Sequence, residues 1–571
     1  MKSKNSGLLK TAIALLTLYV LGQASDNVVL KTLTLELNRS FKAMSHQKPI
    51  PMYFLQYEVW DQHQISIAAS LGAIYSDTDE KNRFLDIDVR VGSAKLDNTH
   101  EIRGGGFDFS DWMSSEVEIP VDEDPDALRS KLWIETDKRF KSAQERYIKV
   151  QSERQVKVAE SDTSADFSAS KPVVFVEGQP VALVLDAEPW RSELKRLSER
   201  FKEFAWIYDS QISLRALAQN KYTVNTDGTR ILDKYLRYYI RVSASTMADD
   251  GMELYLGESF YATKLGGLPA EDVIAAKVDT LIMNLSALKN APLVEPYSGP
   301  AILMNRACGV FFHEIFGHRV EGHRQKSEYE GQTFTKKINE RIMPEFISIV
   351  DDPTMTVFNN QDLNGHYNYD DEGVAAQKAV IVGKGVLKGF LTSRSPIANF
   401  PLSNGHGRRS YGRRVVSRQG VLYTQSDNEV PLAQLREKLI EECKKQNKPY
   451  GLIFYDISGG YTMTGRESAQ TFKVIPLLVK RVYVDGRPDE VVRGVDIVGT
   501  PLLSLSKIIL TGDDYGVFNG TCGAESGWVP VSSIAPSILV SEIEIEKKAK
   551  GQDKPPILPA PTGQPREELP W

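Results

Sequence analysis

Three cysteines in 571 residues, at positions 308, 443 and 522, leave no disulfide framework and no Cys-x-x-Cys pair. Basic charge is scarce as well. With 69 Lys and Arg against 75 Asp and Glu, the formal charge of -6 argues against a nucleic-acid binder. There is no phosphate-cradling P-loop and no internal repeat, and Gly405-x-Gly407 is too slight a pattern to signal a nucleotide. The apolar run from Thr11 to Leu21 is shorter than the roughly 20 residues a membrane span needs, so stable membrane insertion is not expected.

That run follows Lys2, Lys4 and Lys10 and leads into Gly22-Gln23-Ala24. A positive start, a short apolar stretch and small residues at the cut describe a secretory signal peptide over 1–24. The expectation is a periplasmic or otherwise exported protein beginning near Ser25, with a cytoplasmic location as the alternative.

What is present is an ordinary globular composition, 41% hydrophobic and 25% charged, in a chain too long for one core. The patterning predicts an α+β protein: an N-terminal α/β portion with amphipathic helices, then a β-rich C-terminal domain. Ile87, Val89 and Val91 alternate with polar neighbours, as in a half-buried strand. Leu132, Thr136, Phe140, Ala143, Tyr147 and Val150, and then Trp190, Leu194, Leu197 and Phe201, recur at helical spacing. Asp227-Gly228, Asp250-Gly251 and Asp485-Gly486 mark hairpins. These signals divide the chain into a region 25–290 with a subdivision near 210, a domain 291–546, and a Pro-, Lys- and Glu-rich tail 547–571 expected to be disordered.

Three of the eight histidines fall in one window, at 313, 318 and 323. His313-Glu314 followed by His318 offers two imidazoles for a zinc ion and a carboxylate to take a proton from metal-activated water. The histidines are five apart, H-E-x-x-x-H, and on a regular helix that spacing rotates the side chain by roughly 140°, off any shared face. One wide i→i+5 turn would stack them, and Gly317 is where the helix can distort or stop. Cys522, between Gly520-Thr521 and Gly523, sits where a thiolate could approach an ion, or it is structural; the residues alone leave both open. His323 competes as third ligand. Asp370, Asp371 and Glu372 could bind a cation, but a structural turn with solvated acids is the preferred reading; Cys308 and Cys443 read as structural. The run Arg408, Arg409, Arg413, Arg414 and Arg418 is either a solvated loop or a grip on a substrate carboxylate.

The H-E-x-x-x-H motif, Asp371-Glu372-Gly373, the segment Lys384–Leu391, Asn404-Gly405-His406-Gly407-Arg408-Arg409, Gly459-Gly460, Gly494 and Gly520–Gly523 together resemble the TldD/PmbA family, from about Ala301 to Ile545. The resemblance implies a metallopeptidase of the catalytic, TldD-like type, with Zn²⁺ held by His313, His318 and Cys522 and with Glu314 as general base. It also implies a peptide or unfolded-segment substrate, and a homodimer or a heterodimer with a related metal-free subunit. A non-catalytic peptide-binding or assembly subunit with a structural metal is the alternative. The family usually has an acidic residue near position 323 and is commonly cytoplasmic, so His323 and the leader both depart from it.

Overall fold

The computed structural model describes residues 27–102, 116–154, 163–176, 178–466 and 471–548. The expected leader and all but the first two residues of the expected tail lie outside them. Among the described residues no helix is long and apolar enough to cross a membrane.

The chain is α+β. Its first half is one sheet dressed with helices. Strands β1 (Met52–Ser70) and β2 (Ala73–Ser93) form a long antiparallel hairpin. Strand β3 (Asp209–Asn225) pairs with β1 and with β4 (Arg230–Met247), and β4 pairs with β5 (Glu253–Ala262). The turns are the Gly-containing ones read from the sequence: Gly228 and Gly251 take left-handed φ of 99° and 87°. No break falls near 210. The β3 strand begins at Asp209 and hydrogen-bonds on both sides, so the sheet is continuous across that point.

Two helix pairs cover different parts of this sheet. Helices α1 (Val28–Met44) and α2 (Pro125–Arg154) bury Leu30, Leu33, Leu37, Leu132 and Phe140 against Leu55, Tyr57 and Val89. Helices α3 (Ala187–Glu199) and α4 (Glu271–Asn290) bury Leu194, Leu197, Val278 and Leu285 against Ile67, Ile212 and Ile240. Asn27 caps α1, its side chain accepting from the Leu30 amide at 2.8 Å.

In the second half, β6 (Tyr297–Leu303) leads into helix α5 (Asn305–Ile315). β6 pairs in parallel with β7 (Tyr450–Thr462); β7 pairs with β8 (Phe472–Tyr483), β8 with β9 (Val495–Gly499), and β9 with β12 (Ile538–Lys547). β12 returns to pair with β6, so the ring of strands closes. A second, six-stranded sheet ends in the hairpin of β10 (Gly516–Ala524) and β11 (Gly527–Ala535). Helix α5 lies between the two sheets, and Ala307 through Ile315 are all buried. A helix apolar on every side belongs inside a core, which explains Val310, Phe311, Phe312 and Ile315.

Candidate metal centre

Helix α5 stops one residue after Glu314. The Phe316 amide still donates to the Phe312 carbonyl at 3.1 Å, but Phe316 has φ -120° and ψ -52°, and a 3-10 turn runs from Gly317 to Val320. The wide turn expected from the five-residue spacing is therefore not what joins the histidines. A helix end followed by a tighter turn does so, setting the rings of His313 and His318 4.9 Å apart at 77°. Gly317 packs against Gln419: a Cβ there would stand 1.9 Å from the Gln419 amide oxygen, so that side chain would have to shift.

The β10–β11 hairpin delivers Cys522 from the far end of the chain. Its Sγ lies 3.2 Å from His313 Nε2 and 3.3 Å from His318 Nε2. A tetrahedral ion with bonds of about 2.0–2.3 Å sets such ligand atoms about 3.3–3.6 Å apart, so the donor set fits a zinc ion in spacing as well as in softness. Burial opposes charge on His318 and Cys522. On Cys522 it is outweighed by His318, His313 and Arg418, which hold the thiol well below its ordinary pKa, and a thiolate is the form that ligates.

A buried frame stands behind the three. Glu321, fully buried, lies 3.2 Å from His318 Nδ1, the carboxylate partner that fixes a ligating imidazole's tautomer. Burial pushes Glu321 up, but His318, Arg324 and Arg418 bring it down to about 2. Arg418, also fully buried, donates to the Cys522 carbonyl at 2.8 Å and has Nε 3.3 Å from Glu321 Oε1. One guanidinium thus supports both ligand-bearing segments. The sequence reading missed Glu321 and the role of Arg418; a carboxylate three residues after His318 was the available signal.

Glu314 Oε2 lies 4.0 Å from His318 Nε2 and faces a cleft of about 490 Å³ lined also by Gly459, Gly460, Tyr461, Phe518 and Trp528. Gly460 passes so close that a Cβ would sit 3.1 Å from Glu314 Cγ and 2.6 Å from the Lys473 carbonyl. His323 is not at the centre. Its Nε2 contacts the Glu525 carboxylate, which also accepts from Arg324 Nη2 at 3.0 Å. Short helical residues 323–326 and the hairpin turn hold it there, so the three-residue cluster consists of His313, His318 and Cys522.

Other candidates resolve into structure. Asp370, Asp371 and Glu372 form a turn, but a buried one: Asp371 accepts from Lys221 Nζ at 2.7 Å and Glu372 from the Arg394 amide at 2.5 Å. They are not solvated because two halves of the chain meet there. Arg408, Arg409 and Arg418 are likewise buried, with Arg409 bonded to Glu58 at 2.9 Å, so that part of the run is neither a solvated loop nor a free grip. Cys443 packs against Leu435, Leu439 and Ile453, and Cys308 lies in the core around α5.

A family model described as the PmbA/TldA metallopeptidase C-terminal domain matches residues 296–547, the stretch that holds every member of this centre. Over this stretch, less than half of its length, the chain is similar to the TldD/PmbA family. Among TldD/PmbA relatives, a protein of Archaeoglobus fulgidus named "Metalloprotease" is 30% identical over 278 residues, covering 48% of this chain and 60% of its own length. A "Metalloprotease TldD homolog" of Haemophilus influenzae is 25% identical over 348 residues, 58% of this chain and 66% of that one. A "Zinc metalloprotease TldD homolog" of Saccharolobus solfataricus is 29% identical over 248 residues, 43% and 51% respectively. The chain thus spans about half to two thirds of the length of these curated relatives. In fold, solved TldE from Thermococcus kodakarensis is similar over 91% of this chain and 100% of its own, at TM-score 0.59 and 14% identity.

Proposed function

We propose that this protein is a zinc-dependent peptidase, the metal-bearing type within its family, acting on peptides or unfolded segments. The observation that carries the reading is the convergence of two imidazoles and one thiolate at the floor of a cleft, with Glu314 beside them. Relatives named as metalloproteases, one of them a zinc metalloprotease, support it.

His313, His318 and Cys522 would hold the ion beside the cleft. When bound, zinc supplies a Lewis acid and lowers the pKa of a water molecule. Glu314, beside the three ligands, would accept a proton from water and return it to the leaving amine. Gly460, lacking a Cβ, leaves the space beside β7 that the Glu314 side chain occupies. Glu321 orients the His318 ring, and Arg418 fixes the carbonyl of Cys522. The thiolate donates more charge than a third imidazole would, so oxyanion stabilisation calls for further donors from the cleft wall. A purely structural metal would favour a fourth protein ligand, and the cluster among the described residues has three.

The same reading makes the chain one half of a pair, with a second copy or a related metal-free subunit as partner. It also makes it an exported protein, on the strength of the charged start and the apolar run at 11–21. The deciding test is zinc analysis of the purified chain, then a peptide-library digest with and without chelator. Cleavage that chelator abolishes and zinc restores is the expected result; stoichiometric zinc without any cleavage, alone or with a related subunit, overturns the enzymatic reading. Mass spectrometry of protein from its native cell should find an N-terminus at or near Ser25, and an intact Met1 on soluble cytoplasmic protein overturns export.

A further inference from the structure

We infer that the metal cleft selects its substrates by large apolar side chains, and that Phe518 and Trp528 make the choice. The inference rests on the peptidase reading and deepens it by naming which peptides the site takes.

The two rings stand on either side of Cys522 along strand β10. Phe518, Gly520 and Cys522 alternate onto one face of that strand. The Phe518 ring folds back across Gly520, where a Cβ would stand 2.5 Å from its Cζ. Val310 of α5 and Val531 of β11, the partner of Gly520, also line the cleft. Trp528 arrives from β11 opposite Gly523, and its indole lies across that glycine; a Cβ there would stand 2.9 Å from Cζ3 and Cη2. Each glycine therefore leaves room for a ring that lines the cleft, and a side chain at either would displace it. Gly520 and Gly523 are about 10 Å apart on an extended strand, with Cys522 between them. A substrate laid along β10 has the same rise per residue, so side chains about three positions apart meet the two rings, with the metal centre between.

Exposure marks the rings as contact surface. Trp528 is 69% exposed and Tyr461, from β7, 52%, whereas Val310 and Val531 in the same wall are each 1% exposed. Aromatic surface left open at the mouth of a cleft is surface that a ligand can cover. Two charged residues of the wall, Arg324 and Glu525, are bonded to each other at 3.0 Å, and Arg324 also meets Glu321 and Glu330. Gly459 and Gly460 offer no side chain at all. Discrimination between substrates thus falls to the rings, and what they favour is a large apolar side chain. Folded proteins bury such side chains, so the fitting substrate is a peptide or unfolded segment that exposes them.

Fluorescence polarisation tests this without turnover, using the zinc-loaded full chain carrying Glu314→Gln and labelled Gly/Ser peptides. One peptide carries two Phe three positions apart; its comparators replace both by Ala, Glu or Lys. The Phe peptide should bind at least about 10-fold more tightly than the Ala peptide, and the charged ones no better than Ala. Trp528→Ala should remove most of that preference and Trp528→Phe should keep most of it. Met283→Ala, 64% exposed on α4 and outside the cleft, should change nothing. Phe518→Ala should act as Trp528→Ala does; Phe518 packs on the core around α5, so if that variant melts lower, Trp528→Ala decides. The inference fails if Phe and Ala peptides bind alike, if a charged peptide binds more tightly, if no peptide binds, or if Trp528→Ala keeps the preference. Wild-type cleavage separates the two readings. Equal kcat/KM on Phe and Ala peptides leaves a peptidase and sinks the preference, whereas Trp528-dependent binding without cutting leaves the preference and sinks the peptidase.

Discussion

In the N-terminal half, β1 turns directly into β2, and β3 reaches β4 across Asp227-Gly228, so most pairing is between neighbours in sequence. In the C-terminal half, Leu303 of β6 faces Phe454 on one side and Ile538 on the other, partners that arrive much later in the chain. Local pairing closes small loops and forms early, whereas nonlocal pairing waits on long loop closure. The metal centre belongs wholly to the second kind. Its histidines lie near the start of that domain and its cysteine near the end, so the site depends on segments that meet only across a long stretch of chain.

The comparison can be attacked in order of effect. Glu314→Gln should remove roughly 10²–10⁴-fold of peptidase turnover, with zinc content and melting curve left as in wild type; a folded, zinc-loaded and active variant removes Glu314 from the mechanism. Next come two variants expected to act in opposite halves. Leu132→Ala, in the fully buried contact of α2 with the first sheet, should cost about 2–5 kcal/mol in denaturant unfolding yet leave zinc per chain unchanged. Cys522→Ser should lose most bound zinc after dialysis and weaken the C-terminal half, because metal binding and site folding are coupled. His323→Ala should keep its zinc. If Cys522→Ser stays loaded and His323→Ala does not, the ligand assignment is reversed.

Smaller effects sharpen the picture. Gly460→Ala forces a Cβ against the Lys473 carbonyl and the Glu314 side chain, and should cost about 1–3 kcal/mol of stability along with turnover. Glu321 supplies a pH signature. Its folded pKa of about 2 lies below the ordinary 4.5, so its contribution is whole above pH 4.5 and is lost as pH falls toward 2. The melting temperature should drop across that window, and Glu321→Gln should show a shallower drop; an equal slope in both would exclude this carboxylate.

How much could be read beforehand follows the same division. The alternating Ile87, Val89 and Val91, the α2 stripe and the Gly-marked turns describe local geometry, and the sequence carries that plainly. Helix α1 was legible too, in Val29, Leu33 and Leu37 behind Asn27, although the reading passed it over. The His313-Glu314-His318 window was legible as chemistry, but not its shape: a helix end and a 3-10 turn satisfy the spacing as well as a wide turn does. Partners such as Glu321 with Arg418, or Asp371 with Lys221, depend on which distant surfaces meet. Solvated acids and buried ones look alike in a sequence.

The hairpin that carries Cys522 has one further consequence, for how the gene can change length. Cys522 stands opposite Val529, and only Glu525 and Ser526 form the turn. Because strand side chains alternate between faces, one residue inserted between Cys522 and that turn would point the thiol away from the histidines, and two would restore the face but displace it by roughly 7 Å. The turn at Gly486 has open space around it and can absorb such insertions. Natural length variants should therefore collect at the Asp485-Gly486 turn and be missing from the short stretch between the thiol and Ser526.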